Sequence, residues 1–526
     1  MPVPSFIPQG ALFEFSIFCH TCTVNRKYDV VIVGGGHNGL IAACYLAQAG
    51  MGVHILERVD SLGGATVSEK VFPEYEAKIS RYSYLVSLLP QKIIDDLGLS
   101  FETLGRRVAS YTPDASGGLL VSSDWNSETE QSFESLTGSP KEFDEWQTFY
   151  TDVLHFAQVV APTMLEKLPT RSELKNTVNH EIWGSLIERP IGVAVEERFS
   201  NDLIRGVVLT DGLIGTFADA HDLATNRCFL YHMIGNQTGE WRVPKGGMGK
   251  LVTELTATAK SLGVSFETSK DVISISKNLL ITCASGESYE ANFVLANCAP
   301  QILARLMGEA IPTSLEGSQV KINMLLKKLP RLKSGVDPKV AFAGTFHLDE
   351  RYSDLQRAYE QSAAGNIPDV IPAEMYCHTL TDSSILSLEL ADAGYQTLTL
   401  FGIHTPASLF DKDNEGVKSE VTSRLFKQLN KDLVDPIEEC LAQNSDGTLC
   451  VETKSPLDLE ESISLPRGNI FHKDLSFPFR EDGTPESWGV ETTHPKIFLC
   501  GAGAIRGGGV SGIPGHNAAM AVLENR

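Results

Sequence analysis

The sequence predicts an α/β fold in which a mostly parallel-sheet domain is interleaved with an α+β domain. Three observations predict it. A short apolar strand runs into a glycine turn near the N-terminus, a second strand–glycine–helix element stands near the C-terminus, and two long stretches between them carry no glycine fingerprint. At 526 residues the chain exceeds one ordinary core, so two or three interlocked domains are expected.

Tyr28–Val33 is a continuous apolar run rich in β-branched residues, the pattern of a parallel strand buried on both faces. Gly34-Gly35-Gly36-His37-Asn38-Gly39 follows, then a helical segment from Leu40 to Gly50. A second strand, Val53–Leu56, ends in Glu57. Gly34 permits a tight turn, Gly36 lets a pyrophosphate approach the backbone, and Gly39 lets the helix pack close to the strand. The helix start offers unpaired N–H groups and a partial positive charge to phosphate. Glu57 stands 18 residues beyond Gly39, where a carboxylate accepts both ribose hydroxyls and repels a 2′-phosphate. Strand, glycines, helix, strand and acid in this order specify a Rossmann-like dinucleotide-binding unit.

Near the other end, Lys496–Cys500 reads as a buried strand. It enters a loop containing Gly501, Gly507, Gly508, Gly509, Val510, Gly512 and Gly515, with a helix starting near His516 and Asn517. So many glycines cost backbone entropy unless a ligand or close packing requires them. Between the ends, Trp241–Gly249 leads into a helix, Leu251 to Leu262, and strands at Val264–Thr268, Asp271–Ser276 and Tyr289–Ala296. Gly249-Lys250 is not a P-loop, because position 244 is Pro and 251 is Leu.

Composition removes several function classes. The formal charge of −22 repels nucleic acid and anionic lipid. The longest apolar runs are broken well short of the ~20 residues of a membrane span. Ten scattered cysteines suit reduced thiols rather than a disulfide framework. Residues 1–27 read as a leader or docking arm that is neither a secretory signal nor a mitochondrial presequence, and its Cys19–Cys22 pair as incidental. No metal site is expected.

Glu57-Arg58 is followed by Gly63-Gly64-Ala65, an acid–Arg pair and then a glycine doublet. This resembles the second fingerprint of the FAD-dependent proteins that include amine oxidases and phytoene desaturases. Taken in order, the glycine blocks and the stretches Ser80–Leu89, Thr210–Gly215, Val320–Asn323 and Gly468–His472 resemble the phytoene desaturase-like FAD flavoprotein family. Within it the likeness is greatest to the pyridine nucleotide-disulfide oxidoreductase domain-containing and carotenoid ketolase-like members. The resemblance implies FAD as cofactor and an FAD-binding Rossmann-like domain of the glutathione reductase/amine oxidase-like type, built from 28–113, 241–320 and 486–526. An interleaved α+β substrate domain is then built from 114–240 and 321–485. The implied cofactor residues are Gly34, Gly36, Gly39, Glu57, Arg58, Gly63, Gly64, Ala65, Val272, Gly501, Gly508, Gly509, Val510 and Asn517, with Val272 touching the adenine and the C-terminal loop the flavin. Ile505-Arg506 and Lys473–Arg480 depart from the family pattern, and both are expected near the flavin or a substrate tunnel. Disulfide chemistry is not expected, since Cys44 has no partner cysteine before Cys228.

The resemblance further implies an oxidoreductase that desaturates or oxidises a hydrophobic, isoprenoid-like small molecule and passes electrons to oxygen or a quinone. Alternatives stay open: a regulatory flavoprotein of mitochondrial type with a respiratory-chain partner, a flavin-free binding protein of the GDP dissociation inhibitor type, and peripheral contact with a membrane. The compartment is expected to be cytoplasm, with mitochondrial matrix as the alternative. Phe143, Trp146, Tyr150, Val153, Ala157 and Val160 recur at helical spacing as core. Leu203, Val207 and Ile214 continue the theme. Catalytic residues are left unassigned. Of His232, His472 and His516, the last is expected to approach the flavin most closely, and Arg81 and Arg242 are open between phosphate partners and solvated charges.

Overall fold

The computed structural model describes residues 26–526, so the leader and the Cys19–Cys22 pair lie outside the described residues. The first sheet is built outward from the strand Arg26–Val33. On one side it pairs in parallel with Val53–Leu56, which pairs with Ser265–Glu267. On the other it pairs in parallel with Ser288–Ala296, with Val30 opposite Phe293. Ser288–Ala296 carries two further neighbours, the antiparallel Leu280–Cys283 and the parallel C-terminal strand Ile497–Leu499. The first and the last of the described strands therefore share one sheet. Val30, Val31 and Ile32 are fully buried, as a strand covered on both faces requires.

Helix His37–Gln48 packs on this sheet and against the C-terminal helix Ile513–Glu524. The two helices approach so closely that a Cβ on Gly515 would lie 2.2 Å from the Asn38 carbonyl oxygen. The C-terminal helix starts three residues before His516, because Gly512, in the left-handed region at φ 70°, turns the chain into it.

The second sheet runs Val451–Lys454, Val320–Leu326, Gln396–Gly402, Ala373–Tyr376, Thr345–Leu348, Val108–Thr112 and Leu119–Ser122. All pairings are antiparallel except Thr345–Leu348 with Val108–Thr112. The boundary expected at 113 is corrected here. Val108–Thr112 and Leu119–Ser122 form one hairpin, so the former joins the second sheet with its partner rather than the first.

A helical cluster led by Lys141–Val160 packs beside the second sheet's edge strand Leu119–Ser122. Phe143, Trp146, Val153, Ala157 and Val160 are buried on it, and Tyr150 packs against the same core. Leu203 and Val207 lie in that core on the helix Asp202–Thr210. No helix among the described residues is long and apolar enough to cross a membrane.

Candidate functional site

The first glycine turn is built by steric exclusion. Gly34 adopts φ 103°, a conformation open to glycine, and a Cβ on Gly39 would sit 2.6 Å from the Gly34 carbonyl oxygen. Asn297, just past the strand Ser288–Ala296, clamps the turn by donating from Nδ2 to the carbonyls of Gly34 at 3.0 Å and Gly36 at 3.4 Å. Sequence reasoning passed over Asn297, whose only signal is its place at the end of a buried strand. Glu57 accepts the Gly35 N–H at 2.7 Å on one carboxylate oxygen and the Val59 N–H at 3.0 Å on the other. Gly63 donates its N–H to the Gly35 carbonyl at 3.0 Å, which fastens the glycine doublet to the first turn.

These groups open onto a cleft of about 2220 Å³ of empty space, its open mouth included, which runs from the first sheet to the second. Gly34, Gly36, Glu57, Arg58, Gly64, Ala65, Val272, Gly509 and Val510 line it. Gly39 and Gly63 lie just behind, holding the turn rather than facing the cleft. Gly501 packs on Asn297, and Gly508 on Leu475 and Phe471. Asn517 does not face the cleft either. It is fully buried, donating to the Met164 carbonyl at 3.1 Å and sharing a hydrogen bond of 2.9 Å with His516.

His516 is likewise corrected, because its ring stands edge-on to Tyr45 at 5.0 Å, behind the helix and outside the cleft lining. His232 and His472 do line it. Burial holds His37, His232 and His472 down to about 4, so each is a neutral imidazole at pH 7. Arg81 is engaged by Glu69 and Glu452, and Arg242 by Glu240 and Thr103. Neither lines the cleft.

The departure at Ile505-Arg506 has a structural role away from the cleft. Arg506 is fully buried, with Nη1 donating to the Thr163 carbonyl at 2.6 Å and Nη2 to that of Trp488 at 2.9 Å. It ties the glycine loop to the helical cluster, and burial lowers its guanidinium to about 10. Phe477 and Phe479 of the second departure stack on each other at 5.5 Å and join the helical core, not the cleft lining.

At its inner end the cleft is lined by Tyr84, Arg106, Asp211, Trp241, Lys321 and Glu374. Burial pushes the Glu374 carboxyl up to about 8, helped by the charge of Glu350. Glu374 accepts from the Tyr376 hydroxyl, and behind it Glu350 meets His347 Nδ1 and the Thr210 hydroxyl. Burial raises Asp211 to about 6, opposed by His347 and Arg106, and holds Lys321 well below the usual lysine range. Lys321 donates to the Ser80 carbonyl at 2.9 Å and stands over the rings of Tyr84 and Phe401. The four short stretches that carried the family resemblance each place a side chain in the cleft lining: Tyr84, Asp211, Lys321 and His472.

Residues 32–90 match the model of the NAD(P)-binding Rossmann-like domain. The chain is 44% identical over 524 residues to the uncharacterized protein Rv0897c of Mycobacterium tuberculosis, covering 95% of this chain and 97% of that one. It is 28% identical to pyridine nucleotide-disulfide oxidoreductase domain-containing protein 2 of Mus musculus, over 95% and 94% of the two chains. To carotenoid 3,4-desaturase of Haloarcula japonica it is 26% identical, over 51% and 55%. A solved structure of putrescine oxidase shares the fold at a TM-score of 0.57 and 15% identity, covering 95% of this chain and all of that one. With a glycine turn, an acid that closes it and the C-terminal glycine loop on one cleft, and with a match along nearly the whole of the mycobacterial protein, this chain belongs to that protein's family, among flavin-type oxidoreductases.

Proposed function

We propose that the protein is an FAD-dependent oxidoreductase of the phytoene dehydrogenase-like class, acting on a hydrophobic, isoprenoid-like substrate. One observation carries this reading: a single cleft joins the Gly34–Glu57 turn to an enclosed compartment against the second sheet. The residues present fit the cofactor. Helix His37–Gln48 begins with no side-chain cap, leaving its first N–H groups to a phosphate. His37 Nε2, Asn38 Oδ1 and His472 Nδ1 are buried without a partner, as expected of groups that await a ligand.

FAD, when bound, supplies two-electron chemistry and hands the electrons on to oxygen or a quinone. The chain's own groups do the rest. Glu57 accepts from ribose hydroxyls while keeping the turn closed through Gly35 and Val59. Gly36 and Gly64 leave room for the pyrophosphate. Leu85, Ile214, Trp241, Phe401 and Phe471 present apolar surface that excludes water from the reacting end. The eight described cysteines are free thiols, which supports a reducing compartment, cytoplasm or mitochondrial matrix.

The test is the absorbance spectrum of the purified protein, and of protein incubated with FAD, followed by anaerobic mixing with polyene and prenyl substrates. Flavin bands that Gly36→Val abolishes, and that bleach on substrate addition, are the expected result. A colourless folded protein that takes up no FAD refutes the reading.

A further inference from the structure

We propose that the inner end of the cleft is a head-group site for an uncharged hydroxyl on the substrate, with Asp211 accepting from that hydroxyl and Arg106 donating to it. The inference deepens the reading above by naming a chemical feature of the substrate of that same cleft.

Asp211 directly follows the helix Asp202–Thr210 and lines the cleft. No described residue hydrogen-bonds or ion-pairs with its carboxylate; the groups that act on it do so through space, His347 and Arg106 among them. Arg106 lines the same space. Of its five N–H groups, Nε donates to the Trp241 carbonyl at 3.0 Å and Nη1 to the Thr345 hydroxyl at 3.3 Å. The other three have no described acceptor. The Nε1–H of Trp241, also in the lining, is buried without an acceptor. Two other polar groups of the lining have a partner on one atom, Glu374 in the Tyr376 hydroxyl and Lys321 in the Ser80 carbonyl. A free acceptor and several free donors therefore face one compartment without meeting each other.

Charge decides which group fits between them. A substrate ammonium would satisfy Asp211 but lie against Arg106, and a carboxylate would satisfy Arg106 but lie against Asp211. Each meets a like charge where solvent is scarce, which is costly. A hydrocarbon end would strand both groups, and buried polar groups left unpaired are the strongest basis for rejecting a ligand. A hydroxyl donates once and accepts twice, and so serves both sides without a charge penalty. Leu85, Ile214, Phe401, Ile470 and Phe471, also in the lining, suit the apolar body behind it.

The experiment uses the protein as purified and one carbon skeleton with four ends: geraniol, geranylamine, geranic acid and the parent hydrocarbon, titrated calorimetrically. Geraniol is expected to bind at least about tenfold more tightly than the other three. Asp211→Ala and Arg106→Ala should each erase that advantage, with hydrocarbon affinity rising because one polar group fewer is left stranded. Asp211→Asn, which keeps an acceptor oxygen and the side-chain volume, should retain part of it, and circular dichroism confirms that each variant is folded. Parity with the hydrocarbon, which would mean that water alone serves the pair, overturns the proposal. So does preference for the amine or the acid, discrimination that survives Asp211→Ala, or no measurable binding of any of the four. The flavin bands are read from the same samples. Their absence refutes the cofactor reading, whereas the alcohol-to-hydrocarbon ratio bears on the head-group site alone.

Discussion

Glu57→Ala tests the cofactor cradle most directly. In the folded chain the Glu57 carboxylate accepts two backbone N–H groups, those of Gly35 at 2.7 Å and Val59 at 3.0 Å. A hydrogen bond to an ionised acceptor contributes about 1.5–3 kcal/mol. Glu57 is only half-buried, so water replaces part of each bond and the lower end applies, about 3 kcal/mol for the two together. The variant also loses the acceptor for the ribose hydroxyls, worth about another 1.5 kcal/mol of binding, or roughly tenfold in Kd. Loosening of the turn adds to this, because the glycine doublet hangs on the Gly35 carbonyl. FAD affinity should therefore fall by about 10- to 100-fold. The assay strips the flavin, follows rebinding by quenching of flavin fluorescence, and measures the melting midpoint of each form. Glu57→Gln keeps one acceptor oxygen and should fall between parent and Ala variant. If Glu57→Ala binds FAD as tightly as the parent, this carboxylate does not hold the nucleotide.

Four further outcomes are expected. Gly515→Ala places a Cβ 2.2 Å from the Asn38 carbonyl oxygen and should cost about 1–3 kcal/mol, read by chemical denaturation. Arg506→Ala removes a fully buried side chain and leaves the Thr163 and Trp488 carbonyls unpaired, so stability should drop by about 3 kcal/mol while the flavin bands remain. Glu374 is held up to about 8 by burial, above its unfolded value near 4.5, so its folded form keeps a proton that the unfolded chain releases. Its contribution is full below about pH 4.5 and is lost as pH rises through 8; Glu374→Gln should therefore gain stability relative to the parent across that window, by about 2–5 kcal/mol at the top, in denaturation curves taken along a pH series. His37, His232 and His472 carry the opposite sign. Their folded values near 4 lie below 6.5, so the unfolded chain binds protons first and the parent should lose stability as pH falls from 6.5 toward 4.

The glycine-turn end of the cleft was legible in the linear sequence because its determinants are local. A buried strand, a glycine turn and a helix start lie within a dozen residues, and each residue's job follows from the backbone it must allow. Gly34, Gly36 and Glu57 line the cleft together. Asn517 and His516 mark the limit of the logic. Their helix was legible, but which face it turns to the cleft depends on its packing against His37–Gln48, and both residues point the other way.

The inner end of the cleft was set by tertiary structure alone. Tyr84, Arg106, Asp211, Lys321 and Glu374 come from five separate segments, and no spacing links them. They meet because the second sheet pairs strands far apart in the chain, Val108–Thr112 beside Thr345–Leu348 and that beside Ala373–Tyr376. Sequence alone determined that a dinucleotide turn exists and where it lies, since steric exclusion at glycine acts between near neighbours. Which charged groups share one compartment, and which of them are left without a protein partner, was decided by strand pairing between distant segments, a property of the folded chain and not of any window within it.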